Sequence, residues 1–172
     1  MIESAVTQII LLNGTSSSGK TTVGKLLQQA LRDPEWLFLS IDDALGKFPK
    51  HAFETKEKFS RNVLKTVPGF HRSVASFAKQ ELPIIVDHVF QEQGWLEDYK
   101  KATYGLKTIY VGLKCPIEVL EERERNRGDR KLGLARMQYP KVHRGLAYDL
   151  EFDTNTLGAD ACVDRIIKVL NF

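Results

Sequence analysis

One run of eight residues, Gly14-Thr15-Ser16-Ser17-Ser18-Gly19-Lys20-Thr21, carries the most readable chemistry in this chain. It satisfies G-x-x-x-x-G-K-[ST] at every fixed position. Gly14 and Gly19 permit a backbone in which successive N–H groups point inward at phosphate oxygens. Lys20 brings a compact positive charge to the β- and γ-phosphates of a nucleotide such as ATP, and Thr21 places a hydroxyl for Mg2+. A helix starting at this point adds its partial positive charge. The competing reading is a serine- and glycine-rich turn that merely caps a helix; the match of both sequence and context disfavours it.

Acids and arginines that could work with such a loop occur further along. Asp42, in Ser40-Ile41-Asp42-Asp43, lies where a second strand should end, and ligands of open parallel sheets gather at the carboxyl ends of strands. A carboxylate there can take the proton of an acceptor hydroxyl as it attacks the γ-phosphate. By position alone, Asp42 serves equally well as the cap of a short following helix; Asp43, one residue on, is the weaker candidate for the base. Asp87 closes the apolar run Ile84-Ile85-Val86 and reads as an acid that holds Mg2+, directly or through water, or touches substrate. His88 should face the other side of the strand. Arg123 and Arg127 are four apart on one helix face, and Arg130 follows Gly128. Arg127 and Arg130 on a mobile loop could close over the polyphosphate; Arg125 instead pairs with Glu121 on a solvated face. Histidines 51, 71, 88 and 143 form no metal-ligand spacing and read as surface or packing residues.

These groups need a scaffold, and the apolar pattern supplies one. Ile9–Leu12, Leu37–Ile41, Pro83–Asp87, Thr108–Leu113 and Leu150–Asp153 read as buried strands. Helical spacing runs through Thr21–Leu31, Asp42–Phe48, Phe70–Gln80, Trp95–Ala102, Ile117–Asn126 and Ala159–Leu170. Residues 50–69 are charged and weakly patterned, with a turn expected at Pro68-Gly69, and 127–144 lack regular apolar spacing. The alternation predicts an α/β three-layer P-loop NTPase fold with a mainly parallel five-stranded sheet. It should form one domain over residues 1–172, with a lid at 127–144 and an acceptor pocket walled by 43–82.

Composition narrows the classes. The chain has 172 residues, 42% hydrophobic and 27% charged, an ordinary globular balance. A net charge of +3 from 25 basic and 22 acidic residues is too slight to argue for nucleic acid. Ile9–Leu12 is too short to span a membrane, and Met1–Gln8 lacks a basic leader, so a cytoplasmic location is expected. Cys115 and Cys162 read as reduced core thiols. The absence of N-K-x-D argues against a GTPase, and the small size favours a kinase for small molecules over a motor or transporter ATPase.

Several segments together resemble the chloramphenicol phosphotransferase family of P-loop kinases. They are Ile10–Thr21, Ser40–Leu45, Ile84–Phe90, Val111–Pro116, Arg127-Gly128-Asp129-Arg130 and Val142–Asp149, in the family's order along nearly the whole chain. The resemblance implies a shikimate-kinase-like sheet, ATP- and Mg2+-dependent O-phosphorylation, and Asp42 at the position of the catalytic base. Its implications for Lys20, Thr21 and the Arg127/Arg130 lid agree with the residue-level reading. Two departures bear on the acceptor. Lys50, Glu54, Lys56, Glu57, Lys58 and Arg61 make the pocket region more charged than a chloramphenicol site should be, and His88 replaces a second acid. The expected partner is a small hydroxylated acceptor that need not be chloramphenicol, antibiotic modification being one expected activity, with a sugar acid or nucleotide sugar as the runner-up. A non-catalytic nucleotide sensor is the alternative from another class. A homo-oligomer is compatible with the sequence.

Overall fold

The computed structural model describes residues 8–128 and 132–170. Strand β1 (Ile9–Gly14) is buried at all six positions, as a run of apolar residues covered on both faces must be. It lies at the centre of a five-stranded sheet with β2 (Leu37–Ser40), β3 (Ile84–His88), β4 (Thr108–Lys114) and β5 (Leu150–Asp153), in the order β2-β3-β1-β4-β5. All four pairings are parallel. Because β2 and β3 lie on one side of β1 and β4 on the other, the chain switches sides beside β1. That is where an open parallel sheet forms its ligand crevice.

Alternate residues of β1 feed two cores. Ile9 and Leu11 pack with Ile84 and Val86 beneath α3 (Lys56–Lys79) and α4 (Gln93–Ala102). Ile10 and Leu12 pack with Ile85 on the opposite face, beneath α1 (Lys20–Ala30) and α7 (Ala159–Leu170). The expected three layers are therefore present. A smaller cluster joins Leu120 of α5 (Ile117–Arg127) to Ala135 of α6 (Leu134–Gln138). Buried Glu124 fastens these two helices, accepting the Gly133 and Ala135 amides at 2.7 and 3.0 Å. It thereby satisfies N–H groups that a short helix leaves open at its start.

Two stretches that looked unpatterned are ordered. Residues 50–69 hold a 3-10 turn (Lys50–Phe53) and the first half of α3, a 24-residue helix with Pro68 inside it. The turn expected at Pro68-Gly69 does not form. Val63, Val67, Phe70 and Val74 bury one continuous stripe, and this tertiary packing outweighs the local preference of Pro-Gly. Within 127–144, α6 forms on the cap that Glu124 provides. The charged residues Lys50, Glu54, Lys56, Glu57 and Arg61 all point to solvent.

Candidate active site

The phosphate loop leaves β1 at Gly14 and enters α1 at Lys20. Gly19 sits at φ 92°, a left-handed conformation that glycine adopts at no steric cost. Gly14 is required for a different reason. A Cβ there would lie 2.5 Å from the Leu113 carbonyl oxygen and 2.6 Å from Ser18 Oγ, so the loop can hug β4 only without a side chain. Ser17, at φ 65°, takes a left-handed conformation as a non-glycine, local strain of the kind that collects at binding sites. The Oγ atoms of Ser16, Ser17 and Ser18 are buried without a hydrogen-bond partner. Buried polar atoms are seldom left unpaired, and three together in one loop form a cradle suited to phosphate oxygens. Lys20 is buried and donates from Nζ to the Thr15 carbonyl at 2.9 Å.

Thr21 and Asp87 come together from different elements. Thr21 Oγ1 donates to Asp87 Oδ2 at 2.7 Å, and Asp87 is buried at the end of β3. Hydroxyl and carboxylate together are a hard-oxygen set that fits Mg2+. Asp42 stands in α2 (Ile41–Gly46), two residues beyond β2, whose last residue Ser40 pairs with Asp87. The helix is capped by Ser40, whose Oγ accepts the Asp43 amide, so the capping role open to Asp42 is already filled. Asp42 is exposed in the first turn.

On the other side of the loop lies a cleft of about 520 Å³, lined by Ser17, Gly19, Val23, Arg123, Arg127 and Thr154 among others. Arg123 bridges Ser17 to Thr154, donating to the Ser17 carbonyl at 3.4 Å and to Thr154 Oγ1 and O at 3.2 and 2.8 Å. Arg127 is at the exposed end of α5. Arg130 lies outside the described residues.

Other contacts carry no motif and were not legible in the sequence. Asn13 Nδ2 donates to the Val142 carbonyl and to Tyr148 Oη, and Asn13 Oδ1 accepts the Phe90 amide. This one amide ties β1 to the segments on both flanks. Tyr148 in turn contacts His143 Nδ1 at 2.7 Å. Burial pushes Tyr148 up to about 12, against the Asn13 hydrogen bond. Burial, then the charge of Lys114, pulls His143 down to about 4. Both are neutral near pH 7, and the imidazole tautomer decides which of Tyr148 Oη and His143 Nδ1 donates in their hydrogen bond. Behind Asp87, His88 faces the opposite side as its strand position requires. Its Nε2 lies 3.0 Å from His71 Nε2, and His71 Nδ1 donates to Asp98 at 2.7 Å. Burial lowers both histidines' pKa, His88 well below the usual value. They are packing residues with polar partners, and no cluster of three or more metal-binding side chains occurs among the described residues.

The fold recurs in known proteins. A Mycobacterium tuberculosis protein bearing the name "Putative O-phosphotransferase Rv2636" is 26% identical over 169 residues, covering 86% of this chain and 75% of its own. Among solved structures, the M. tuberculosis APS kinase CysC in complex with AMPPNP and APS superposes with a TM-score of 0.68 at 15% identity, covering 97% of this chain and 99% of its own. Shikimate kinase from Acinetobacter baumannii in complex with shikimate gives 0.64 at 19% identity, over 96% and 94% of the two chains. These likenesses bear out the shikimate-kinase-like sheet. The model of the chloramphenicol phosphotransferase-like proteins matches residues 7–171, and with a phosphate loop on such a sheet the chain belongs to that family, as a kinase-type P-loop phosphotransferase.

Proposed function

We propose that this enzyme transfers the γ-phosphate of ATP to a hydroxyl group of a small acceptor, with Asp42 as general base. The observation that carries the reading is the loop of unpartnered serine hydroxyls with the Thr21–Asp87 pair at its end. ATP lies with its base toward the cleft under Arg123 and its phosphates in the loop. Thr21 and Asp87 hold Mg2+, which when bound offsets the negative charge of the phosphates. Lys20 turns from the Thr15 carbonyl to the β- and γ-phosphates. The acceptor sits on the β2–α2 side, within residues 43–82. Its oxygen bonds to the γ-phosphorus, the bond from that phosphorus to the bridging oxygen breaks, the hydroxyl proton passes to Asp42, and ADP leaves. Arg127, at the exposed end of α5, meets the charge that develops on the polyphosphate.

The name of the relative supports O-phosphorylation. The APS kinase holding AMPPNP and APS and the shikimate kinase holding shikimate support a nucleotide and a small hydroxylated acceptor. The charged side chains Lys50, Glu54, Lys56, Glu57 and Arg61 point to solvent, so they do not exclude hydroxylated antibiotics, which belong in the panel beside sugar acids and nucleosides. Buried free thiols at Cys115 and Cys162 agree with a cytoplasmic setting. The test is ATP consumption across that panel, with mass spectrometry of the products. At least one compound should gain a phosphoryl group in step with ADP release. ATP binding without any phosphorylated product would point to the nucleotide sensor instead.

A further inference from the structure

Gln138, at the end of α6, belongs to no motif, yet its side chain reaches the phosphate loop. It is buried. Its Oε1 accepts the backbone amide of Ser16 at 2.8 Å, and its Nε2 donates to Gln91 Oε1 at 3.1 Å. Gln91 follows β3 closely, in the same segment whose strand ends at Asp87 and His88. One neutral amide thus links the lid helix, the phosphate loop and the segment beyond the Thr21–Asp87 pair.

The position within the loop matters. Ser17, Ser18 and Gly19 line the cleft on the α1 side, and Ser16 is not among the lining residues. Its amide turns instead toward α6 and Gln91. If the nucleotide base occupies the cleft, Ser16 marks the far end of the cradle, where the terminal phosphate arrives. The chemistry of the side chain suits that place. An amide oxygen accepts the Ser16 N–H without bringing a negative charge near polyphosphate, while the amide nitrogen donates onward to Gln91. Without Gln138, the buried Ser16 amide would have to find another acceptor, and buried N–H groups are not left open cheaply.

We propose that Gln138 is a positioning residue that holds the transfer end of the cradle in the shape that accepts a terminal phosphate, and so sets the preference for ATP over ADP. This rests on the kinase reading above. Calorimetric binding of a non-hydrolysable ATP analogue and of ADP tests it without an acceptor. Gln138→Met removes both hydrogen bonds at similar length. It should weaken the analogue by roughly tenfold, the scale of one or two lost hydrogen bonds, and ADP by less than about twofold. Gln138→Glu keeps an acceptor for Ser16 but adds a charge. It should weaken the analogue at least as much, with the loss shrinking as salt rises. Equal losses for the two nucleotides, or no loss, would overturn the assignment. Should Gln138→Met fail to fold, Gln138→Leu, which also lacks both hydrogen-bonding atoms, decides by the same comparison. A parent chain that bound neither nucleotide would overturn the kinase reading itself, a result distinct from either.

Discussion

Thr21 and Asp87 show how much two side chains can say about a reaction when their elements bring them within 2.7 Å. A buried carboxylate beside a phosphate loop is costly unless a cation or donors balance it. Under the proposed function, Mg2+ held by Thr21 and Asp87 would add to that balance. Asp87→Asn keeps an oxygen for the Thr21 hydroxyl but loses the charge. It should lower apparent Mg2+ affinity by about 10–100-fold, as lost support around a metal does, with little change in melting temperature. A magnesium titration of ATP turnover identical to the parent's would leave Asp87 as a hydrogen-bond partner of Thr21 and nothing more. Both residues were legible in the sequence because their types stand at positions with meaning, a motif's last place and a strand's last place. Asn13 and Gln138 were not. A single amide has no spacing rule, and its role appears only when Val142, Phe90, Ser16 and Gln91 converge on it from distant parts of the chain.

At the scale of elements, strands were easier to read than the long helix α3. Short β-branched runs bounded by polar residues announce themselves, whereas α3 carries Pro68-Gly69 in its middle, a pair that ordinarily ends a helix. Its continuity comes from the buried stripe Val63–Val67–Phe70–Val74, which propensity cannot see. The same reasoning predicts opposite outcomes for two helical glycines. A Cβ at Gly69 meets nothing within 4 Å and its backbone is helical, so Gly69→Ala should stabilise the protein by about 0.5–1 kcal/mol. At Gly24, in α1, a Cβ would come 2.4 Å from the Phe38 ring. Overpacking there, about 1–3 kcal/mol, exceeds the gain in propensity, so Gly24→Ala should destabilise. Urea unfolding of both variants checks the pair. Two changes of the same sign would mean that helix propensity alone governs these sites.

Over the whole molecule, the sheet order decides which groups can meet. With β1 central and β3 beside it, the phosphate loop, Asp87 and the start of α2 all lie at the carboxyl ends of the strands. The cleft proposed for the nucleotide lies on the α1 side, between Ser17 and Thr154, and Asp42 stands on the β2 side. A donor and an acceptor entering from opposite sides is the arrangement that in-line transfer requires. The central claim is that Asp42 takes the acceptor's proton, and Asp42→Asn is its most direct measurement. The substitution preserves size and leaves Ser40 in place as the helix cap. Transfer to the acceptor found in the panel should fall by roughly 10²–10⁴-fold, the range for losing a general base. ATP affinity and melting temperature should stay near the parent's. An Asp42→Asn enzyme that phosphorylates the same acceptor at the parental rate would contradict the mechanism.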